Sequence, residues 1–257
     1  MEEFYAQLDA LFQAGDLEKI EAFLKRNLSL RSGAEKVAVL NELAGFYRGI
    51  SRYDESVQNF QEALTLLEQA GQKNSNAYAT VLLNLAGVYR LTRKLDLAAQ
   101  MFEHALTLLD PEDYAYASAK NNLSLVRLEQ GDPSRAAALA GEALEWMRRH
   151  GAPEHEVATA LVNLANIHLR QKDVERADVL LKEALALYDK MEEVNVHHAA
   201  ALSAQGMVHY LREEWDEAED AFRRALKLTE HFFGHNAEYK ATLRNLELTR
   251  QARELAP

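Results

Sequence analysis

Apolar positions along this chain fall at helical intervals, and the pattern repeats. Leu85-Ala86-x2-Tyr89 is followed by Ala98-x3-Phe102-x2-Ala105-Leu106. An Ala-Leu pair recurs at Ala63-Leu64, Ala105-Leu106, Ala143-Leu144, Ala184-Leu185 and Ala225-Leu226, at spacings of 42, 38, 41 and 41 residues. Leu85 to Ala105 and Leu123 to Ala143 both span 20 residues, so the length variation falls in the connections, as it does in loops. Within one unit, Val81, Leu82, Leu85, Val88 and Tyr89 predict a first helix and Lys94-Leu95-Asp96 a turn. Leu97, Met101, Phe102, Ala105 and Leu108 predict a second helix, and no proline interrupts either run.

The pattern resembles the tetratricopeptide repeat, W-x2-L-G-x2-Y…A-x3-F…P. It is carried by Leu43-Ala44-x2-Tyr47 with Ser56-x3-Phe60, by Leu85-Ala86-x2-Tyr89 with Ala98-x3-Phe102, and by Ala218-x3-Phe222-x2-Ala225. The long period, with Phe233-Gly234-His235 leading into Tyr239-x5-Asn245-Leu246, is similar to the repeats of kinesin light chains. The resemblance implies an all-α fold, a right-handed superhelical solenoid of antiparallel helix pairs. The expected organisation is an N-terminal divergent hairpin over 1–30 turning at Gly15-Asp16, five helix pairs over 31–235, and a capping helix over 236–257. Glycine and proline sit mostly at predicted turns, among them Gly71, Gly131, Pro133, Gly151, Pro153 and Gly234, and no linker is long enough to divide the chain.

Composition narrows the function. With no cysteine, disulfides, thiolate metal sites and cysteine nucleophiles are excluded. The start, Met1-Glu2-Glu3-Phe4-Tyr5, has neither the basic segment nor the apolar run of a secretion signal, and no stretch is apolar enough to span a bilayer, so a cytoplasmic protein is expected, with no membrane partner. A net charge of −11 argues against nucleic acid as a partner, because a phosphate backbone demands a basic surface.

The charge is unevenly placed. Residues 78–90, 116–128, 157–170 and 199–211, in four first helices, contain no Asp or Glu across 53 positions, where the chain average would place about eight. They do contain Arg90, Lys120, Arg127 and Arg170. In tetratricopeptide arrays first helices line the concave surface, so the resemblance implies a neutral-to-basic groove attractive to an acidic, extended segment. Burial of first helices between neighbours is the competing explanation.

One position before the signature leucine, successive units carry Glu42, Asn84, Asn122, Asn163, Ala204 and Asn245. Asparagine has mediocre helix propensity, and its amide matches the N–H and C=O of an extended backbone. The resemblance implies a main-chain clamp at this position, with Asn166 on a nearby face. Bridges between neighbouring helices are the alternative.

The third unit departs from the pattern. Lys120 replaces leucine and Arg127 replaces a ring, seven residues apart on one helical face. Buried unpaired they would be costly, so they snorkel, pair with Glu103 or Asp113, or meet an anionic ligand at mid-groove. His168 and His209 occupy the slot of Tyr47 and Tyr89 and read as packed rings, so no metal or cofactor is expected. The chain has no G-x-S-x-G, G-x4-G-K-[ST], G-x-G-x-x-G or H-E-x-x-H motif.

The expected function is therefore non-catalytic: a scaffold, monomeric or weakly self-associating, whose groove holds a segment of another protein. The candidate binding residues are Asn84, Asn122, Asn163, Asn166, Arg90, Lys120, Arg127 and Arg170. A bacterial peptide-signal receptor and a self-assembling adaptor are the alternatives.

Overall fold

The computed structural model describes residues 1–191 and 194–256. The predicted repeat run contains Glu192 and Glu193, and the predicted cap ends on Pro257; these three lie outside the described residues. Among the described residues every regular element is an α-helix. The chain forms two compact units, Met1–Gln130 and Gly131–Pro257. The division falls inside the third predicted helix pair.

Unit 1 contains α1 (Glu2–Ala14), α2 (Leu17–Leu30), α3 (Gly33–Gly49), α4 (Tyr53–Gln69), α5 (Asn76–Leu91), α6 (Leu95–Leu108) and α7 (Tyr114–Glu129). Unit 2 contains α8 (Pro133–Arg149), α9 (Glu154–Arg170), α10 (Val174–Tyr188), α11 (His198–Leu211), α12 (Trp215–Phe233) and α13 (Ala237–Leu255). Helix starts follow local chemistry. Asp16, Ser75, Asp132, Asp173 and Asn236 each accept a backbone N–H from the first turn, and Pro133 opens α8.

In the α5–α6 pair the buried faces are largely the predicted ones. Leu82, Leu85, Ala86, Val88 and Tyr89 of α5 pack with Ala98, Phe102 and Ala105 of α6 inside unit 1. Leu97, expected on that second stripe, is instead 39% exposed, since α6 begins at Leu95 and turns this residue outward. Small residues let paired helices approach: Ser56 Oγ donates to the Ala44 carbonyl at 2.7 Å, and a Cβ at Gly206 would lie 2.7 Å from the Phe222 ring.

The turn inside each pair has one geometry. Ser51, Arg93, Lys172 and Glu213 adopt left-handed backbone (φ 62 to 63°), and Gly131 does so in the third pair (φ 86°). In the first four cases the next N–H reaches back to the signature ring residue's carbonyl: Arg52 to Tyr47, Lys94 to Tyr89, Asp173 to His168 and Glu214 to His209, at 2.8 to 2.9 Å. The first helices then touch their own kind, α5 against α3 and α7 in unit 1, and α11 against α9 and α13 in unit 2.

Candidate functional site

The first helices of unit 1 build a pocket of about 290 Å³. Arg48 of α3 forms one side. Thr80, Leu83, Asn84 and Gly87 of α5 form the floor, at i, i+3, i+4 and i+7, one helical face. Tyr114, Ala115, Ser118 and Asn122 of α7 close the other side. The lining is mixed: two amides, three hydroxyls and a guanidinium beside Leu83 and Ala115.

Two of the predicted asparagines meet here. Asn84 Nδ2 donates to Asn41 Oδ1 at 2.8 Å and so bridges α5 to α3, while Asn122 Nδ2 donates to the Ser118 carbonyl of its own helix at 2.9 Å. Each amide carries two N–H groups and an acceptor oxygen, so these bonds use only part of its capacity. Asn163 and Asn166 are half-buried on α9 of unit 2 and are not among the residues that line this pocket.

Two of the four predicted cations act between helices. Arg90 and Arg93 of the α5 end share Glu129 of the α7 end. Arg127 ion-pairs with Glu103 of α6 and donates to Gln130 Oε1 at 2.7 Å. Lys120 lies over the Tyr116 ring, 4.9 Å from its centroid. Arg170, the last residue of α9, is exposed. Glu129 sits one residue past the acid-free stretch, and Glu154 and Glu156 open α9, so the helices themselves are less one-sided than the windows drawn on the sequence.

The residue that sequence reasoning missed is Arg48. It is half-buried, and its Nη1 lies 3.3 Å from where a Gly87 Cβ would be, so the guanidinium rests on the bare backbone of α5. Among the described residues it makes no side-chain hydrogen bond or ion pair. Burial pushes its pKa down, as does the charge of Arg90, and Glu42 acts in the opposite sense. Burial, reinforced by Asp9, in turn holds the Glu42 carboxyl above its usual range, against a hydrogen bond from Asn41 and the charge of Arg48. A signal was present: Arg48 and Arg90 both lie five residues after the signature leucine.

Family profiles of the tetratricopeptide repeat match residues 35–110, 112–190 and 199–232. The chain belongs to the tetratricopeptide repeat family. No curated protein matches it by sequence. Among solved structures, the chain is similar to NprR in complex with its cognate peptide NprX, at 15% identity and a TM-score of 0.74, covering all of this chain and 74% of that one. It is also similar to BtubC (BKLC) from P. vanneervenii, at 23% identity and a TM-score of 0.61, covering 83% of this chain and 91% of that one. Repeats of kinesin-light-chain type from P. anserina match at 14% identity and a TM-score of 0.54, over 76% of this chain and 95% of theirs. At these identities the likeness carries the fold.

The tetratricopeptide repeats of unit 2 are joined by a different device. Asp178 of α10, almost fully buried, accepts from Lys182, from Gln205 Nε2 at 3.1 Å and from Arg212 Nη1 at 2.9 Å. Burial raises its pKa, but these bonds and the Arg212 charge outweigh burial and bring it down to about 2. Glu219 of α12 receives Arg223, Arg250 and Arg253 in the same way. His209 is held between Gln205 and Glu214, and burial pushes the His168 and His198 imidazoles down. Among the described residues no cluster of three or more His, Asp or Glu side chains has the geometry to hold a metal ion, and no helix is long and apolar enough to cross a membrane.

Proposed function

We propose that this tetratricopeptide protein is a non-catalytic scaffold that binds an extended, acidic segment of another protein along the α3–α5–α7 face of unit 1. The observation that carries the reading is the pocket in which amides from adjacent repeats, Asn84 and Asn122, flank one another with hydrogen-bonding capacity in reserve. An extended backbone offers an N–H and a C=O on each residue, the complement of an amide side chain. NprR, of the same fold, is complexed with a peptide, which supports a peptide as the occupant.

The test is to pan random phage-displayed peptides against the full chain and measure the recovered sequences by calorimetry. Asn122→Ala should weaken binding about tenfold while leaving the melting temperature unchanged, since only a local bond to the Ser118 carbonyl is lost. Recovery of no binder, or affinity indifferent to Asn122, overturns the reading.

A further inference from the structure

The fifth helix pair, in unit 2, is polar where the others are apolar. The signature leucine of the first four pairs, Leu43, Leu85, Leu123 and Leu164, is Gln205 in the fifth, and Gln205 is buried as Leu43, Leu85 and Leu123 are. Facing it across the repeat boundary is Asp178, which stands where Val57, Ala99 and Ala137 do. Buried polar groups contribute less stability than the apolar side chains they replace, and the best-attested reasons for keeping them are register and switching.

The geometry favours a switch. Gln205 Nε2 donates one N–H to Asp178 Oδ1 of α10 at 3.1 Å and the other to Nε2 of His209, one turn along α11, at 3.2 Å. Gln205 Oε1 is buried and has no hydrogen-bond partner among the described residues, so these two acceptors set the orientation of the amide. For Nε2 to accept, the imidazole must be neutral with its proton on Nδ1, where Glu214 takes it. Protonation would turn Nε2 into a donor aimed at a donor. A half-turn of the amide would satisfy the charged ring but set Oε1 against the Asp178 carboxylate. Asp178, with a pKa of about 2, stays ionised throughout the range in which imidazoles titrate. The amide therefore cannot serve Asp178 and a protonated ring together.

We propose that Gln205 is the latch of a proton-sensitive joint between α10 and α11: it binds Asp178 while His209 is neutral and gives that bond up when His209 is protonated. The cost of the proton falls on the contact between repeats. Glu214 lies five residues from His209, in the turn into α12, and keeps its hold on the ring in both states, so the charge it stabilises does not favour the closed joint. After release Arg212 still reaches Asp178 and Glu175 across the boundary, so the joint loosens without parting. Other titratable groups on the helices packed against α11 are already engaged. His168 of α9 lies 3.7 Å from Asp173, Lys182 of α10 is on Asp178, and Glu219 of α12 holds Arg250 of α13. By linkage, a closed joint that excludes the protonated ring is fully formed above the histidine range and is lost as pH falls through it. His209 is half-buried, which leaves it open to protons from water. The device acts in unit 2, whatever unit 1 binds.

The test is amide hydrogen exchange on the full chain between about pH 8 and about pH 5.5, corrected for intrinsic exchange rates. Protection in α10 and α11 should fall about five- to tenfold on acidification, as the loss of one hydrogen bond requires, while α3 and α5 of unit 1 keep theirs. His209→Phe keeps a ring in the slot but takes no proton, and Gln205→Leu restores the residue of the other repeats. Both should show no acid response in α10 and α11 beyond what His168 and His198, present in both variants, contribute. Side-chain NMR of the wild type gives a second reading that needs no variant to fold: the Gln205 amide signals should shift in step with the change of the His209 ring from neutral, protonated on Nδ1, to charged. Three results would each overturn the proposal: an equal acid response in wild type and His209→Phe, a loss of protection spread evenly over the chain, or Gln205 signals indifferent to the state of His209.

Discussion

In unit 2 the residue after the small alanine of α10 and of α12 is an acid, Asp178 after Ala177 and Glu219 after Ala218; the same position holds Ala137 in α8, and Val57 and Ala99 in unit 1. The cation facing it changes in step. Asp178 receives Arg212, seven residues past its unit's signature position, where unit 1 has Ile50 and Thr92. Unit 2 therefore commits basic residues to a buried and a half-buried acid, Asp178 and Glu219, that fasten one repeat to the next. Unit 1 fastens with Glu21, Glu103 and Glu129, and one guanidinium, Arg48, is left over beside a glycine. The comparison separates two roles that look alike in a count of charges. A cation opposite a carboxylate holds helices together, and a cation opposite an empty contour is available to a ligand.

The sharpest way to break this distinction is to remove one member of each kind. Asp178→Ala leaves Gln205 and Arg212 facing one another without their acceptor, and should destabilise by about 3 kcal/mol in urea unfolding. Arg48→Leu should change stability by less than about 0.5 kcal/mol, or raise it, because no native ion pair is lost. Comparable losses in the two variants would abolish the contrast.

Acid titration tests the same acid without mutation. The Asp178 pKa of about 2 lies below its ordinary value of 3.8, so the ion pair stabilises the fold fully above about pH 4. That contribution, about 2 kcal/mol, disappears as pH falls through the folded value. Asp178→Asn should flatten this portion of the stability-against-pH curve, and an unchanged slope would mean that other carboxylates carry it. The smallest effect is expected at Glu129→Gln. Its arginine partners are partly solvated, so stability should fall by no more than about 1 kcal/mol. Yet freeing Arg90 beside the pocket should increase affinity for acidic peptides about threefold. A loss of affinity would show that Glu129 supports the binding face rather than competing for its charge.

Much of the fold was legible because its causes are local. Apolar spacing located the first and second helices, and Gly15-Asp16 marked the first hairpin: Gly15 is left-handed and Asp16 caps α2. The turn placed at Lys94-Leu95-Asp96 lies slightly earlier, since the left-handed residue is Arg93 and Leu95 already begins α6. The site was less legible because its decisive facts are relations between helices. Lys120 and Arg127 share a helical face by spacing, yet Lys120 turns to Tyr116 of its own helix and Arg127 to Glu103 of the neighbouring one. Arg48 was hidden by composition. Glu35 and Glu42 on α3 made that helix look ordinary, and only the packing reveals that neither forms an ion pair with it. Gly87, an unspecified position in the repeat pattern, acquires meaning only from what lies above it.

The left-handed turns set a different kind of limit. Ser51, Arg93, Lys172 and Glu213 each hold a Cβ in a conformation that glycine adopts freely, as Gly131 does in the corresponding turn. The turn is thus imposed by the helices it joins rather than by the residue placed there, and the natural chain tolerates four strained occupants. Glycine at each would relieve up to about 1 kcal/mol. None of the four lines the pocket. The protein therefore carries a margin of thermal tolerance that selection has left unused, open to engineering without disturbing what the chain binds.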